Sequence, residues 1–453
     1  MDSMIKCVRS AADVLTGKII SRDAVIGIVG LGYVGLPLML AMTNQRFRVI
    51  GFDVDDKRVR ELNEGKSPLK HISDNKISSA ILTNRFEATT DHSRLGEPDA
   101  VVVCVPTPLA IHREPDLSIL IRATEAISRA LRPGQLIVLE STTYPGTTHE
   151  LVSPILERNG LVSGIDFLVG YSPEREDPGN QEYSTPTIPK IVGGEGEDAL
   201  KVTIELYSAF VNKVVPVSST GAAEAVKITE NVFRAVNIAL ANELKIIYAK
   251  MGIDIFEVID AAKTKPFGFM PFYPGPGLGG HCIPIDPLYL TWKARERGIN
   301  TKLIEVADEI NSAMPNYVVA RVREAIDKRN GIGLSRARIL VVGIAYKKNV
   351  DDVRESPALR IIEELIAQGA SVEYYDPLVP TISDARGHPE LRGKKSIILD
   401  TETIARFDAV LIVTDHDAID WQLLLEHCRL IVDTRNIIRK IGMRGYESKI
   451  ISA

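Results

Sequence analysis

Apolar positions along the chain fall into two kinds of run. Short, nearly unbroken runs bounded by glycine, proline or aspartate occur at Val25–Val29, Val49–Asp53, Ala100–Val105, Leu136–Glu140 and Phe167–Tyr171. Runs of that length and continuity suit strands buried on both faces. Between them apolar residues recur every three or four positions, as in Ile119–Leu131, which is the helical period. The alternation predicts a parallel doubly wound sheet. A short helix carrying Ala11, Ala12, Val14 and Leu15 leads into it.

The rhythm stops at Gly221. From there to Gly252 one long helical stretch carries apolar residues on more than one face, among them Val226, Ile228, Val232, Val236, Ile238, Leu240, Leu244 and Ile247. A helix of that kind is buried on several sides. It is either an internal core helix or a spacer that also pairs with a second copy of the chain. A second α/β unit starts near Arg336, with strands at Ile339–Gly343, Val372–Tyr375, Ala409–Val413 and Leu430–Asp433. It echoes the first. IGIVGLGYVG matches ILVVGIAY, the strand-end Asp53 matches Asp376, residues 99–107 match 408–416, and residues 136–142 match 430–436. The expected fold is α/β, with two Rossmann-like doubly wound domains joined by a long central helix. The expected boundaries are residues 1–215, 216–332 and 333–453.

Length and composition narrow the class. The chain has 453 residues, enough for two or three domains. Apolar residues make up 45% and charged residues 25%, with a net charge of −5. A mildly acidic balance speaks against nucleic acid or a membrane surface as partner. The uncharged stretch Val25–Met42 is long enough to span a bilayer, but its four glycines and Pro37 suit a strand, turn and helix better. The four cysteines, Cys7, Cys104, Cys282 and Cys428, form no CxxC pair and no zinc-like spacing with histidine. No metal site is expected. With no secretory pattern at the N-terminus, a reducing cytoplasm is the expected location.

Gly30-Leu-Gly32-Tyr33-Val34-Gly35 is a GxGxxG sequence between an apolar strand and an apolar helix, and Asp53 ends the next strand. In that context the sequence predicts a dinucleotide site. The glycines allow the tight turn and close approach of pyrophosphate to backbone, and the helix N-terminus faces the phosphates. A carboxylate at Asp53 accepts from the adenosine ribose and repels a 2′-phosphate, which favours NAD over NADP. Lys57 and Arg58 keep NADP open. A glycine turn with no cofactor is the alternative. The second half has Ala345 where the second glycine would stand, followed by Lys347, Lys348 and Arg354. A basic loop of this kind suits the diphosphate of another ligand, or is simply solvated.

Residues 274–287 read PGPGLGGHCIPIDP. A lone cysteine is usually a small core hydrophobe, as Cys104 in its apolar run is expected to be. Cys282 instead follows loop-forming residues, with Asp286 four positions on, which suits a nucleophile with a nearby carboxylate.

At this point the chain resembles the nucleotide-sugar 6-dehydrogenases, the family of UDP-glucose dehydrogenase. The resemblance runs from Val25 to about Ile438, through GIVGLGYVGLPL (27–38), VCVPTP (103–108), ESTTYPGTT (140–148), YSPER (171–175), KITEN (227–231), PGPGLGGHCIP (274–284) and AYKKNVDDVRESPA (345–358). Residues 266–295 look most like the UDP-N-acetylglucosamine 6-dehydrogenase branch.

The resemblance implies two successive NAD-dependent oxidations of C6 of a UDP-hexose, with Cys282 capturing the aldehyde as a thiohemiacetal and then a thioester. It implies Lys227 and Asn231 at the developing oxyanion, Asp286 as general base, and Glu174 and Thr143 near the reacting carbon and the hydrolytic water. Implied cofactor contacts are Gly30, Gly32, Tyr33, Val34, Gly35, Asp53, Arg58, Pro106, Thr107 and Arg354. Implied substrate contacts are Glu174, Arg175, Lys227, Asn231, Phe272, Tyr273, Gly279 and Lys347. A homodimer or higher homo-oligomer and a role in polysaccharide biosynthesis are also implied.

Three departures argue against UDP-glucose itself. Ile285 stands where lysine is usual, residues 173–179 read PEREDPG rather than PEFLAEG, and no arginine lies between Ile255 and His281. The resemblance implies UDP-N-acetylglucosamine as the substrate, with UDP-N-acetylmannosamine and UDP-glucose as alternatives. A two-electron hydroxyacid dehydrogenase would need neither the cysteine nor the second nucleotide fold. A non-catalytic sugar-nucleotide sensor would have no use for Cys282, Lys227, Asn231 and Asp286 together.

Overall fold

The uncharged run Val25–Val29 forms β1 at the centre of a sheet, where a strand needs apolar side chains on both faces. The computed structural model describes residues 10–69, 72–110, 113–175, 183, 185–280, 283–383 and 387–453. By internal contacts the chain divides into two units, Met1–Glu230 with Leu288–Gly298, and Asn231–Pro287 with Ile299–Ala453.

The first unit holds eight strands: β1, β2 (Arg48–Phe52), β3 (Phe86–Thr89), β4 (Ala100–Val103), β5 (Leu136–Leu139), β6 (Leu168–Tyr171), β7 (Lys190–Gly194) and β8 (Val214–Pro216). Their spatial order is β3-β2-β1-β4-β5-β6-β7-β8. All neighbours are parallel except β6 and β7. The order reverses between β1 and β4, which places a ligand crevice at the carboxyl ends of those strands. Helices on both faces bury separate apolar layers, one around Ile26, Ile28 and Met39, the other around Val101, Val103 and Ile137. The short edge strands β3 and β8, and β7 beside β8, were not expected. They are three to five residues long, and β3 shows only two buried side chains, too little for a periodic signal.

The second unit contains β9 (Arg338–Val342), β10 (Ser371–Tyr375), β11 (Ala409–Ile412), β12 (Ile431–Asp433) and β13 (Ile450–Ser452). They pair in parallel in the order β10-β9-β11-β12-β13. A 29-residue helix, Lys302–Asn330, packs on this sheet through Val318, Val322 and Ile326. It too was unexpected, because Pro315 interrupts its pattern as a helix breaker would. The long central helix runs from Thr220 to Lys250 and contributes residues to both units. Among the described residues no helix is long and apolar enough to cross a membrane. The stretch Val25–Met42 is the expected strand, turn and helix.

Candidate functional site

In the first unit the turn after β1 is built by its glycines. Gly30 has φ +94°, and a Cβ there would lie 2.6 Å from the Cys104 carbonyl oxygen. A Cβ at Gly35 would lie 1.9 Å from the Gly30 carbonyl oxygen, so only glycine fits where helix Gly35–Asn44 starts against the turn. Nothing lies within 4 Å of a Cβ at Gly32, which leaves its backbone open to a ligand. Tyr33 and Val34 complete the turn, with Val34 at the helix cap position. Asp53 closes the crevice from β2. Its Oδ2 accepts from the Leu31 N–H at 2.9 Å and from Arg58 at 2.9 Å, and its Oδ1 accepts from the Asp55 N–H at 3.0 Å. A carboxylate has about four lone-pair sites, so Asp53 retains one for a ribose hydroxyl. These residues fit NAD. At the end of β4, Pro106 is exposed and Thr107 is buried, its hydroxyl donating to the Thr142 carbonyl at 2.7 Å. Tyr289 donates to the Thr107 carbonyl at 2.8 Å.

The segment after β5 carries Thr143. Below it Glu140 forms a buried pair with Lys190 at 3.1 Å and accepts from Tyr207 at 2.5 Å. Burial, with the Glu140 charge beside it, holds the Tyr207 hydroxyl well above the usual tyrosine range. Thr143 is fully buried, and its hydroxyl has no hydrogen-bond partner among the described residues. Such an atom costs free energy unless something else completes it. Glu224, on the central helix, spans the following turn. It accepts from the Gly146 N–H at 2.5 Å, the Thr148 N–H at 2.8 Å and the Thr148 hydroxyl at 2.6 Å. One turn along the helix, Lys227 is buried and donates to the Glu174 carbonyl at 2.5 Å and its carboxylate at 3.2 Å. Arg175 is held by Glu230 of the same helix at 2.6 Å. The first unit thus brings Glu174, Arg175 and Lys227 together.

In the second unit Asn231 and Asp286 meet. The Asn231 amide nitrogen donates to the Asp286 carboxylate, and its oxygen accepts from Arg234. Both partners fix the amide orientation, since a carboxylate only accepts and a guanidinium only donates. Asn231 is fully buried and Asp286 nearly so. His281 and Cys282 lie outside the described residues. The loop leading to them is anchored by Asn242, which accepts from the Gly275 N–H at 2.9 Å and donates to Asn311 at 2.9 Å. Gly279 and Gly280 press on Tyr346, with Cβ positions that would come within 2.8 Å of its side chain, and the Gly280 N–H donates to the Arg354 carbonyl at 3.2 Å.

The other expected substrate contacts have partners of their own. Phe272 packs edge-on against Phe233 with centroids 5.6 Å apart. Tyr273 stacks on Phe256 and donates to Asp260 at 2.7 Å. The Arg354 guanidinium is clasped by Asp352 at 2.6 Å. Lys347 stands on the loop after β9. Among the described residues no cluster of three or more His, Cys, Asp or Glu could hold a metal ion.

Three residues of these clusters escaped the sequence reading. Glu224 and Arg234 each sit three positions from an assigned residue on the central helix, and that spacing could have flagged them. Arg435 donates from Nε to the Val413 carbonyl at 2.7 Å and lies against Gly275. The internal repeat reached it without giving it a role.

Comparison with known proteins fits this geometry. Three stretches match models of the UDP-glucose/GDP-mannose dehydrogenase family: its NAD binding domain over residues 24–211, its central domain over 221–313 and its UDP binding domain over 340–440. Protein CapL of Staphylococcus aureus is 38% identical over 423 residues, 91% of this chain and 96% of its own. The UDP-N-acetyl-D-glucosamine 6-dehydrogenase of Pseudomonas aeruginosa is 38% identical over 79% of this chain and 84% of its own. Among solved structures, the UDP-N-acetylmannosamine dehydrogenase of Pyrococcus horikoshii aligns with a TM-score of 0.83 at 32% identity, covering 94% of this chain and 98% of its own. With an NAD-binding domain at one end and a UDP-binding domain at the other, the chain belongs to the UDP-glucose/GDP-mannose dehydrogenase family.

Proposed function

We propose that this enzyme oxidises C6 of UDP-N-acetylglucosamine from alcohol to carboxylate in two steps. The observation that carries the reading is the polar row buried on the central helix. Lys227 and Asn231, four positions apart, are both buried, and each is joined to a residue bearing a carboxylate, Glu174 or Asp286. Burying an ammonium and an amide on one helix face is costly for the fold alone, and such placements cluster where charge develops in a reaction.

Bound NAD supplies the hydride acceptor for both oxidations. Gly30, Gly32, Gly35 and Asp53 hold it, with Tyr33, Val34, Arg58, Pro106 and Thr107 beside it. Cys282 attacks the C6 aldehyde, forming a carbon–sulfur bond and a thiohemiacetal. The second oxidation leaves a thioester, and water cleaves it, releasing the thiol and the carboxylate. Asp286 takes the protons that these steps release. Lys227 and the second N–H of Asn231 stabilise the oxyanion. Glu174 and the Thr143 hydroxyl, which has no partner among the described residues, position the water. Lys347 carries charge for the diphosphate, and Arg175, Phe272, Tyr273 and Gly279 border the sugar.

The departures at Ile285 and 173–179 speak against UDP-glucose, and the N-acetyl preference rests on likeness to relatives named for N-acetylhexosamines. UDP-N-acetylmannosamine ranks second. Steady-state turnover of UDP-N-acetylglucosamine, UDP-N-acetylmannosamine, UDP-N-acetylgalactosamine and UDP-glucose tests this ranking, and UDP-glucose as the best substrate by kcat/KM would overturn it. The chain is further proposed to form a homodimer or higher homo-oligomer, with the central helix as the candidate interface.

A further inference from the structure

The two nucleotide folds treat their matching aspartates differently. Asp376 ends β10 as Asp53 ends β2. Its Oδ2 accepts from the Ile344 N–H at 2.7 Å, the Ala345 N–H at 3.1 Å and His416 Nε2 at 3.1 Å. Its Oδ1 accepts from the Leu378 N–H at 2.8 Å and the Val379 N–H at 3.1 Å. Five donors fill a carboxylate that has about four lone-pair sites. Asp53 meets three. The residue that matches His416 in the first half is Thr107, and its hydroxyl turns to Thr142 instead.

His416 is fully buried, and its second ring nitrogen is also committed. Nδ1 accepts from the Asn349 N–H at 2.9 Å. A backbone N–H can only donate, so Nδ1 holds a lone pair and Nε2 carries the hydrogen given to Asp376. Asn349 sits in the left-handed region at φ +60°, which is uncommon for a residue with a side chain. The next residue along, Asp417, clamps it again. It accepts from the Asn349 amide at 2.6 Å, gives its own N–H to the amide oxygen at 3.0 Å, and pairs with Lys348 at 2.6 Å. Two adjacent residues therefore pin the 346–349 loop, which carries Lys347 and the Tyr346 ring beneath Gly280.

We propose that His416 is a positioning residue with two effects: it closes the Asp376 carboxylate to a nucleotide ribose, and it fixes the loop from which Lys347 meets the substrate diphosphate. The second effect rests on the reading of Lys347 given above. A ribose bound in the second nucleotide fold then finds no open lone pair on Asp376 of the kind that Asp53 offers, and the diphosphate contact from the pinned loop carries more of the binding.

The two ring nitrogens can be separated by substitution. His416→Asn keeps an acceptor near Nδ1, His416→Gln keeps a donor near Nε2, and His416→Phe keeps neither. Calorimetric titration of the full chain with UDP should show affinity reduced about tenfold in His416→Phe and His416→Gln, and nearly retained in His416→Asn. KM for the UDP-sugar should rise with them, while kcat and the affinity for NAD stay within about twofold of the parent. Asp417→Ala, at an exposed side chain, should weaken UDP several-fold and serves if the buried variants do not fold. Unchanged UDP affinity in both His416→Gln and Asp417→Ala would overturn the proposal. Lys347→Ala reports separately on the underlying reading: if it leaves UDP affinity intact, the assignment of Lys347 fails whatever His416 does.

Discussion

Asp53 and Arg58 face each other at 2.9 Å at the lip of the cofactor turn, and the pair makes NAD preference a matter of charge balance. With Asp53 present, the guanidinium is engaged and a 2′-phosphate meets a carboxylate. Asp53→Ala removes the proposed ribose acceptor and releases Arg58. We expect kcat/KM for NAD to fall by about tenfold to a hundredfold, and the NADP/NAD ratio of kcat/KM to rise. An unchanged ratio would show that Asp53 does not select the cofactor. Glu224 gives a second residue-scale test. Burial pushes its carboxyl up to about 7, against the pull of its Thr148 and Gly146 donors, from an ordinary value near 4.5. The fold therefore holds this proton more tightly than the unfolded chain does. Its contribution to stability falls as pH rises from about 4.5 to about 7, by up to about 3 kcal/mol. Glu224→Gln cannot titrate, so its unfolding midpoint should lose that part of the decline between pH 4.5 and 8. Identical pH dependence in both proteins would contradict it. Glu224 was legible only as a spacing. Nothing in sequence signals that a glutamate reaches a turn 76 residues away.

At the scale of elements, the central helix combines two requirements. One face keeps Glu224, Lys227 and Asn231 from water, and another leaves apolar side chains exposed. Phe233, Leu240 and Ile247 recur every seven residues and are 47%, 52% and 41% exposed, with Met251 at 66%. An apolar stripe of that period suits a second helix. Replacing Leu240 and Ile247 together by aspartate should convert the proposed dimer to monomer in light scattering at micromolar concentration, and a dimer that persists would exclude this face. The helix itself was readable in the apolar pattern, at 221–252 against the observed 220–250. Helix Lys302–Asn330 was not, because Pro315 sits buried inside it. The core strands β1, β4, β5 and β11 were legible because burial on both faces leaves unbroken apolar runs. The edges β3, β8 and β13 carry no such signature.

At the scale of the molecule, the internal repeat explains most of what the sequence could reveal. Gly343 repeats the strained turn of Gly30, with φ +76° against +94°. Asp376 repeats Asp53 in binding the N–H groups after its first strand. The repeat told of two nucleotide folds, and the family models bear that out. What it left unread is how they diverged, since His416 and Arg58 act through contacts that no local pattern encodes. The site motifs were legible because glycine, proline and isolated polar residues stand out against periodic helices and strands.

In the proposed function one enzyme performs both oxidations through Cys282. The most direct measurement is the amount of NADH formed per UDP-N-acetylglucosamine consumed to completion with excess NAD, in the parent enzyme and in Cys282→Ser. Two NADH and the uronate are expected for the parent, and no uronate for the variant. One NADH per sugar with aldehyde as product, or full two-NADH turnover by Cys282→Ser, would contradict it.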